Sequence, residues 1–181
     1  MTSLHQLKKL LVERSVRSGD FILASGKTSS VYVDARMTTM SPEGLTLIGP
    51  LSLQALAAKQ WNPDAVGGLT LGADPVAYSI SYAGALQASA IRAFTVRKQV
   101  KTHGTGSRIE GPLRRGDNVV IIEDVITTGS SALQAIDAVR HFGAHILGVL
   151  AVVNREEGGI EAIAAQGYEA ISLTTLSDLI A

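Results

Sequence analysis

Apolar positions in this chain fall into short continuous runs separated by stretches with helical spacing. Leu4, Leu7, Leu10 and Leu11 share one face, which predicts an amphipathic helix over about 3–17, with Gly19 placed to end it. Phe21–Leu23 and Val31–Asp34 read as short strands around a Ser25-Gly26-Lys27-Thr28 turn. By that pattern Lys27 is a solvated hairpin residue. Ser41-Pro42-Glu43 starts a helix carrying Leu45, Ile48, Leu51, Leu53 and Leu56 to Lys59, with a kink or early break expected at Pro50. A strand over 64–69 ends in small residues, and Gly72-Ala73-Asp74-Pro75 opens a third helix reaching about Gln87. The small residues at that junction fit close backbone approach to a ligand, or simply a tight turn.

Residues 89–96 predict another strand, followed by a long loop over 97–112 with few apolar side chains and four Gly or Pro breakers. Val119-Val120-Ile121-Ile122 is an uninterrupted β-branched run, the mark of a strand buried on both faces. A helix with Leu133, Ile136, Val139 and Arg140 follows, then a strand over 144–153, a short helix over 160–166, a strand over 168–173 and a last helical turn over 175–180. Alternating strands and helices predict an α/β fold with a central parallel sheet and right-handed crossovers.

Length and composition narrow this picture. The 181 residues suffice for one well-buried domain and are too few for two ordinary ones. A formal net charge of +0 argues against nucleic-acid binding through bulk charge. Without cysteine there are no disulfides and no thiolate metal ligands. No apolar run approaches a membrane span and the charged N-terminal stretch lacks a signal-peptide core, so a soluble cytoplasmic protein without membrane partners is expected. Charge is nonetheless uneven: Arg92, Arg97, Lys98, Lys101, Arg108, Arg114 and Arg115 cluster with His103, which suits a small polyanion. His141 and His145 are separated by Gly143 at a helix end, so they are read as structural or exposed and not as a metal pair.

The candidate chemistry lies after the buried strand. Glu123 and Asp124 follow it, and then Thr127-Thr128-Gly129-Ser130-Ser131 leads into the next helix. A small-residue turn opening a helix presents backbone N–H groups and a positive dipole end to an anion, and the hydroxyls add donors. Paired carboxylates suit a polyhydroxyl group or a metal ion. No P-loop lysine follows Gly129, and Ile109 stands where a dinucleotide fingerprint beginning at Gly104 and Gly106 needs its third glycine. An N-capped helix beside two solvated acids is the plain alternative.

The string over 119–132 resembles the phosphoribosyl pyrophosphate (PRPP) motif of the type I phosphoribosyltransferases. Four further stretches, 21–36, 67–75, 97–111 and 154–159, are similar to the orotate phosphoribosyltransferase family. The resemblance implies a type I phosphoribosyltransferase fold: one domain with a hood over approximately 1–40, a core over 41–181 and a mobile catalytic loop over 97–112. It implies transfer of ribose 5-phosphate from PRPP to orotate with Mg²⁺, giving orotidine 5′-phosphate and pyrophosphate in pyrimidine (UMP) synthesis. Arg97, Lys98, Lys101 and His103 are implied for the pyrophosphate, with Lys101 and His103 catalytic on a loop reaching the neighbouring subunit of a homodimer. Glu123 and Asp124 are implied for the ribose hydroxyls and 125–131 (Val125, Ile126, Thr127, Thr128, Gly129, Ser130, Ser131) for the rest of PRPP, the 5′-phosphate falling to 127–131. Thr127 and Arg155 are implied for orotate, and Lys27 moves from solvated residue to PRPP contact. The metal would be held mainly by the substrate's own phosphates, with no direct protein ligand. Some relatives carry a lysine close to Gly72; if it binds pyrophosphate there, another group must supply that charge in this chain. A phosphoribosyltransferase for another base and a non-catalytic PRPP-sensing regulator are the alternatives, and an association with orotidylate decarboxylase is left open.

Overall fold

The computed structural model describes residues 3–22, 28–99 and 108–181. The elements, in order, are α1 (Ser3–Arg14), β1 (Val16–Ile22), β2 (Thr28–Val33), α2 (Arg36–Thr39), α3 (Pro42–Ala58), β3 (Ala65–Leu69), α4 (Ala73–Leu86) and β4 (Arg92–Val96). They continue as β5 (Ile109–Glu110), β6 (Asn118–Ile126), α5 (Ser130–Phe142), β7 (His145–Asn154), α6 (Gly159–Ala164), β8 (Ala170–Thr175) and α7 (Leu176–Ile180). β1 and β2 pair antiparallel as a separate two-stranded sheet, and the other strands form a sheet of order β5-β4-β3-β6-β7-β8. All neighbours in the larger sheet are parallel except β5, which lies antiparallel on the β4 edge. This is an α/β fold with a central, mostly parallel sheet flanked by helices.

The continuous apolar run of β6 serves two cores. Val119 and Ile121 join α5 on one face, with Ala135, Ile136, Val139 and Val149. Val120 and Ile122 point the other way, onto Leu7 and Leu11 of α1, Ile48 and Leu51 of α3, and Val76 and Ile80 of α4. A strand's side chains alternate between faces, so only a strand covered on both can be apolar throughout. α1 is thus packed into the core beneath the sheet, although the hairpin that follows it is not part of the sheet.

Several boundaries differ from the sequence expectation. α1 ends at Arg14, because Ser15 turns inward and its buried hydroxyl hydrogen-bonds that of Thr38 at 2.7 Å. Gly19 therefore lies within β1, beside a register shift between Ser18 and Phe21. α3 runs unbroken through Pro50. Gly49 precedes the proline and has no Cβ to strike its ring, and α4 grips the same turn through Ser79, whose hydroxyl donates to Leu45 O at 2.7 Å. Ile109–Glu110, expected within the loop, pairs with β4, held also by Arg97 N donating to Arg108 O at 2.7 Å. β6 continues through both acids to Ile126, because β7 pairs with it as far as Ile126↔Asn154. Among the described residues no helix is long and apolar enough to cross a membrane.

Candidate active site

The carboxyl ends of β3, β4, β6 and β7 converge on a cavity of about 750 Å³, the position where open α/β sheets bind ligands. Its walls are the end of the hairpin (Tyr32–Arg36), the turn after β3 (Leu69–Gly72), Lys98, the stretch 123–132 and Arg155. The parallel pairing of β6 and β7 sets Arg155 on the same sheet edge as Glu123 and Asp124, as the sequence leads one to expect.

At one end of the cavity β6 passes into α5. Gly129 has φ of 80°, a left-handed conformation that turns the chain from strand to helix and favours glycine. Space demands it too, since a Cβ there would lie 2.8 Å from Gly159 O. No side chain caps α5, so its first-turn N–H groups and positive dipole end are presented at the cavity with the Thr127, Thr128, Ser130 and Ser131 hydroxyls. That is a cradle for a phosphate.

Beside the cradle sit two buried acids. Glu123 is 5% exposed and its Oε1 has no hydrogen-bond partner among the described residues. Burial, with the Asp124 charge adding to it, pushes its carboxyl up to about 8. Burial thus favours the neutral form of Glu123, which can donate to a hydroxyl. Asp124 is also raised by burial, and its Oδ1 accepts from Val125 N at 2.8 Å. A buried carboxyl oxygen without a protein partner among the described residues fits a ligand that brings hydroxyl groups.

The turn after β3 closes the cavity next to Asp124. A Cβ at Gly72 would lie 2.4 Å from Asp124 Oδ1, so the backbone passes directly against the carboxylate. Thr70 Oγ1 and Thr95 Oγ1 each donate to Asp74 at 2.7 Å, tying this turn to the end of β4 just before Arg97 and Lys98. Across the cavity, Arg155 is 5% exposed; its Nε donates to Glu157 Oε1 at 2.7 Å and its Nη2 to Val31 O at 3.2 Å. The guanidinium is thus set by β2 on one side and by Glu157 on the other.

The structure brings together Lys98, Glu123, Asp124, Val125, Ile126, Thr127, Thr128, Gly129, Ser130, Ser131 and Arg155. Arg97 is not among the lining residues; its Nη1 lies 3.4 Å from Glu110 Oε1. Lys27, Lys101 and His103 lie outside the described residues. His141 and His145 are exposed, and His141 Nδ1 is 2.8 Å from Asp137 O. Asp34, Arg36 and the Thr70–Gly72 turn also line the cavity without having been assigned roles from the sequence. The small residues around Gly72 were the signal for the turn; an Asp-x-Arg spacing closing the hairpin was the only signal for Arg36.

The chain matches the family model described as phosphoribosyl transferase domain over residues 39–167. The orotate phosphoribosyltransferase of Aquifex aeolicus (strain VF5) is 46% identical over 183 residues, covering 99% of this chain and 99% of that one. This chain belongs to the orotate phosphoribosyltransferase family. A family member from Mycobacterium tuberculosis H37Rv, solved in complex with PRPP, superposes with a TM-score of 0.83 at 38% identity, covering 99% of this chain and 100% of that one. Leishmania donovani UMP synthase superposes with a TM-score of 0.83 at 29% identity, over 99% of this chain and 38% of the larger protein. As an orotate phosphoribosyltransferase family member, the chain is a pentosyltransferase, and the cavity at its sheet edge is the place to look for the transfer.

Proposed function

We propose that this chain transfers ribose 5-phosphate from PRPP to orotate in pyrimidine synthesis, with the cytoplasm as its place of work. The observation that carries the reading is the shared cavity: a phosphate cradle at 127–131, two buried acids beside it and a buried guanidinium at Arg155. The 5′-phosphate takes the cradle and the ribose hydroxyls take Glu123 and Asp124. The orotate carboxylate pairs with Arg155, with Thr127 nearby. As the bond from ribose C1 to pyrophosphate breaks and orotate N1 bonds to C1, its proton leaving with the pyrophosphate, positive charge builds on the sugar and negative charge on the leaving group. Lys98, with Arg97, Lys101 and His103 assigned by resemblance, stabilises the departing anion, and Lys27 is a further PRPP contact by the same resemblance; one such preorganised donor contributes about 10²–10³-fold in comparable sites.

Among the described residues no group of three or more His, Asp or Glu side chains could hold a metal ion by itself. The acid pair beside the cradle fits ribose hydroxyls, which together with the substrate's phosphates would hold a Mg²⁺ without a direct protein ligand. When bound, that ion supplies further charge to the leaving pyrophosphate. The β1–β2 hairpin is proposed as the hood, supported by its separate sheet and by Tyr32–Arg36 in the cavity wall. A homodimer is supported by an apolar stripe on α4, while the sharing of the loop across subunits rests on the resemblance alone. Tyr78, Tyr82 and Leu86 are spaced four apart and exposed, the last two at 69% and 71%. Association with orotidylate decarboxylase remains part of the proposal, in keeping with the 38% share of UMP synthase that this chain spans. Loss of orotate absorbance on incubation with PRPP and Mg²⁺ tests the function; an unchanged spectrum with folded protein contradicts it.

A further inference from the structure

We infer that Arg36 is a pyrophosphate-binding residue of this site, fixed on the cavity wall by Asp34 and facing the leaving group of PRPP. The inference rests on the PRPP reading above and adds a residue to it. With the 5′-phosphate in the 127–131 cradle and the ribose over Glu123 and Asp124, the substrate's 1-pyrophosphate must extend toward the opposite end of the cavity. Leu71 and Gly72 form part of the wall there, and Gly72 lies directly against Asp124. Arg36 also lines a second, smaller recess with Leu71, Met37 and Met40, a recess that none of the cradle residues lines.

The side chain is built for an anion. Arg36 Nε donates to Asp34 Oδ1 at 2.8 Å and Nη2 to Asp34 Oδ2 at 3.2 Å, a two-point grip that fixes the plane of the guanidinium. Its Nη1 has no hydrogen-bond partner among the described residues, and the side chain is about half exposed, at 47%. Asp34 is itself anchored, its backbone N–H donating to Ser15 O at 2.9 Å. A guanidinium held on one edge and open on the other matches a phosphate in two-point fashion. The cavity also needs this charge. Asp34 and Asp124 both line it, and a polyphosphate entering beside two carboxylates requires fixed cations at its own end. Gly72 contributes no side chain there and has no room for one. Among the described lining residues, Arg36 and Lys98 are the cations on this side, since Arg155 is held at the end of β7 by Glu157 and Val31.

Binding titrations separate the two ends of the substrate. In the presence of Mg²⁺, R36Q is expected to bind PRPP and pyrophosphate about tenfold more weakly than the parent, the loss typical of a charge-assisted contact. Ribose 5-phosphate, which lacks the pyrophosphate, is expected to bind within about twofold of the parent, which also shows that the cradle and fold are intact. The R36K variant keeps the charge and loses the two-point grip on Asp34, so its PRPP affinity falls between the two and gives a second reading should R36Q be unstable. Unchanged PRPP binding in both variants overturns the inference. So does an equal loss for ribose 5-phosphate, or a rise confined to the orotate KM. Failure of the wider reading is distinguishable, because the parent protein would then neither bind PRPP nor consume orotate.

Discussion

Replacing Gly72 with alanine should abolish most activity while leaving the fold intact. Gly72 has φ of −61° and ψ of −45°, ordinary helical values that alanine adopts without strain. The added Cβ would lie 2.4, 2.7 and 2.9 Å from Asp124 Oδ1, Cγ and Oδ2, where ordinary contact begins at 3.4 Å. The carboxylate must therefore retreat by about 1 Å, which its side-chain torsions permit at the cost of the bond from Val125 N. Losing that bond costs about 1 kcal/mol, and replacing glycine by alanine at a compatible backbone position returns about 0.4–1 kcal/mol. The melting temperature should hardly move. Catalysis should, because a displacement of about 1 Å in a positioning group costs roughly 10²-fold. The assay is kcat/KM for PRPP from orotate absorbance, beside a thermal melt of the same sample. Activity within about twofold of the parent would refute the reasoning, as would a loss matched by a large fall in melting temperature.

Three further outcomes are expected. The raised Glu123 carboxyl favours the folded state only while it is protonated, so its contribution is present below pH 4.5 and is lost as pH rises toward about 8. The melting temperature of E123Q relative to the parent should accordingly rise across that window, and a difference flat with pH counts against it. Glu157→Ala removes the charge-assisted bond to Arg155 Nε, so the orotate KM should rise about tenfold with the PRPP KM unchanged; equal changes in both would show that Glu157 does not act through Arg155. Lys101→Ala should lower kcat at least about tenfold with the fold intact, and mixing it with an inactive Asp124→Asn protein should restore part of the activity across the dimer. No recovery after verified subunit exchange would assign the loop to its own subunit.

Local chemistry made much of this fold legible. The β-branched run of β6, the Ser41-Pro42 helix start and the hydroxyl-rich turn into α5 each carry their own signal, and each element lies where that signal predicts. Features set by distant partners were not legible. The end of α1 coincides with Ser15 meeting Thr38 from beyond the hairpin, and α3 at Gly49 and Pro50 is packed against Ser79 of α4. The extension of β6 through Glu123 and Asp124 depends on pairing with β7, which no local pattern records. In the site, the acids and the cradle are contiguous in sequence and stood out together. Arg36 and Gly72 are separated by the whole of α3 and β3, and only folding sets them on one cavity wall. Glu157 lies two residues from Arg155, yet its role as the clamp on that guanidinium is visible only in side-chain geometry.

The central claim is that Arg155 and the cavity around it select orotate as the acceptor of ribose 5-phosphate. The most direct measurement is kcat/KM for orotate and for uracil, which lacks the carboxylate, at the same PRPP and Mg²⁺ concentrations. The account predicts a preference for orotate on the order of 10⁴-fold, since uracil brings no carboxylate to the buried guanidinium. Comparable turnover of the two bases would contradict it.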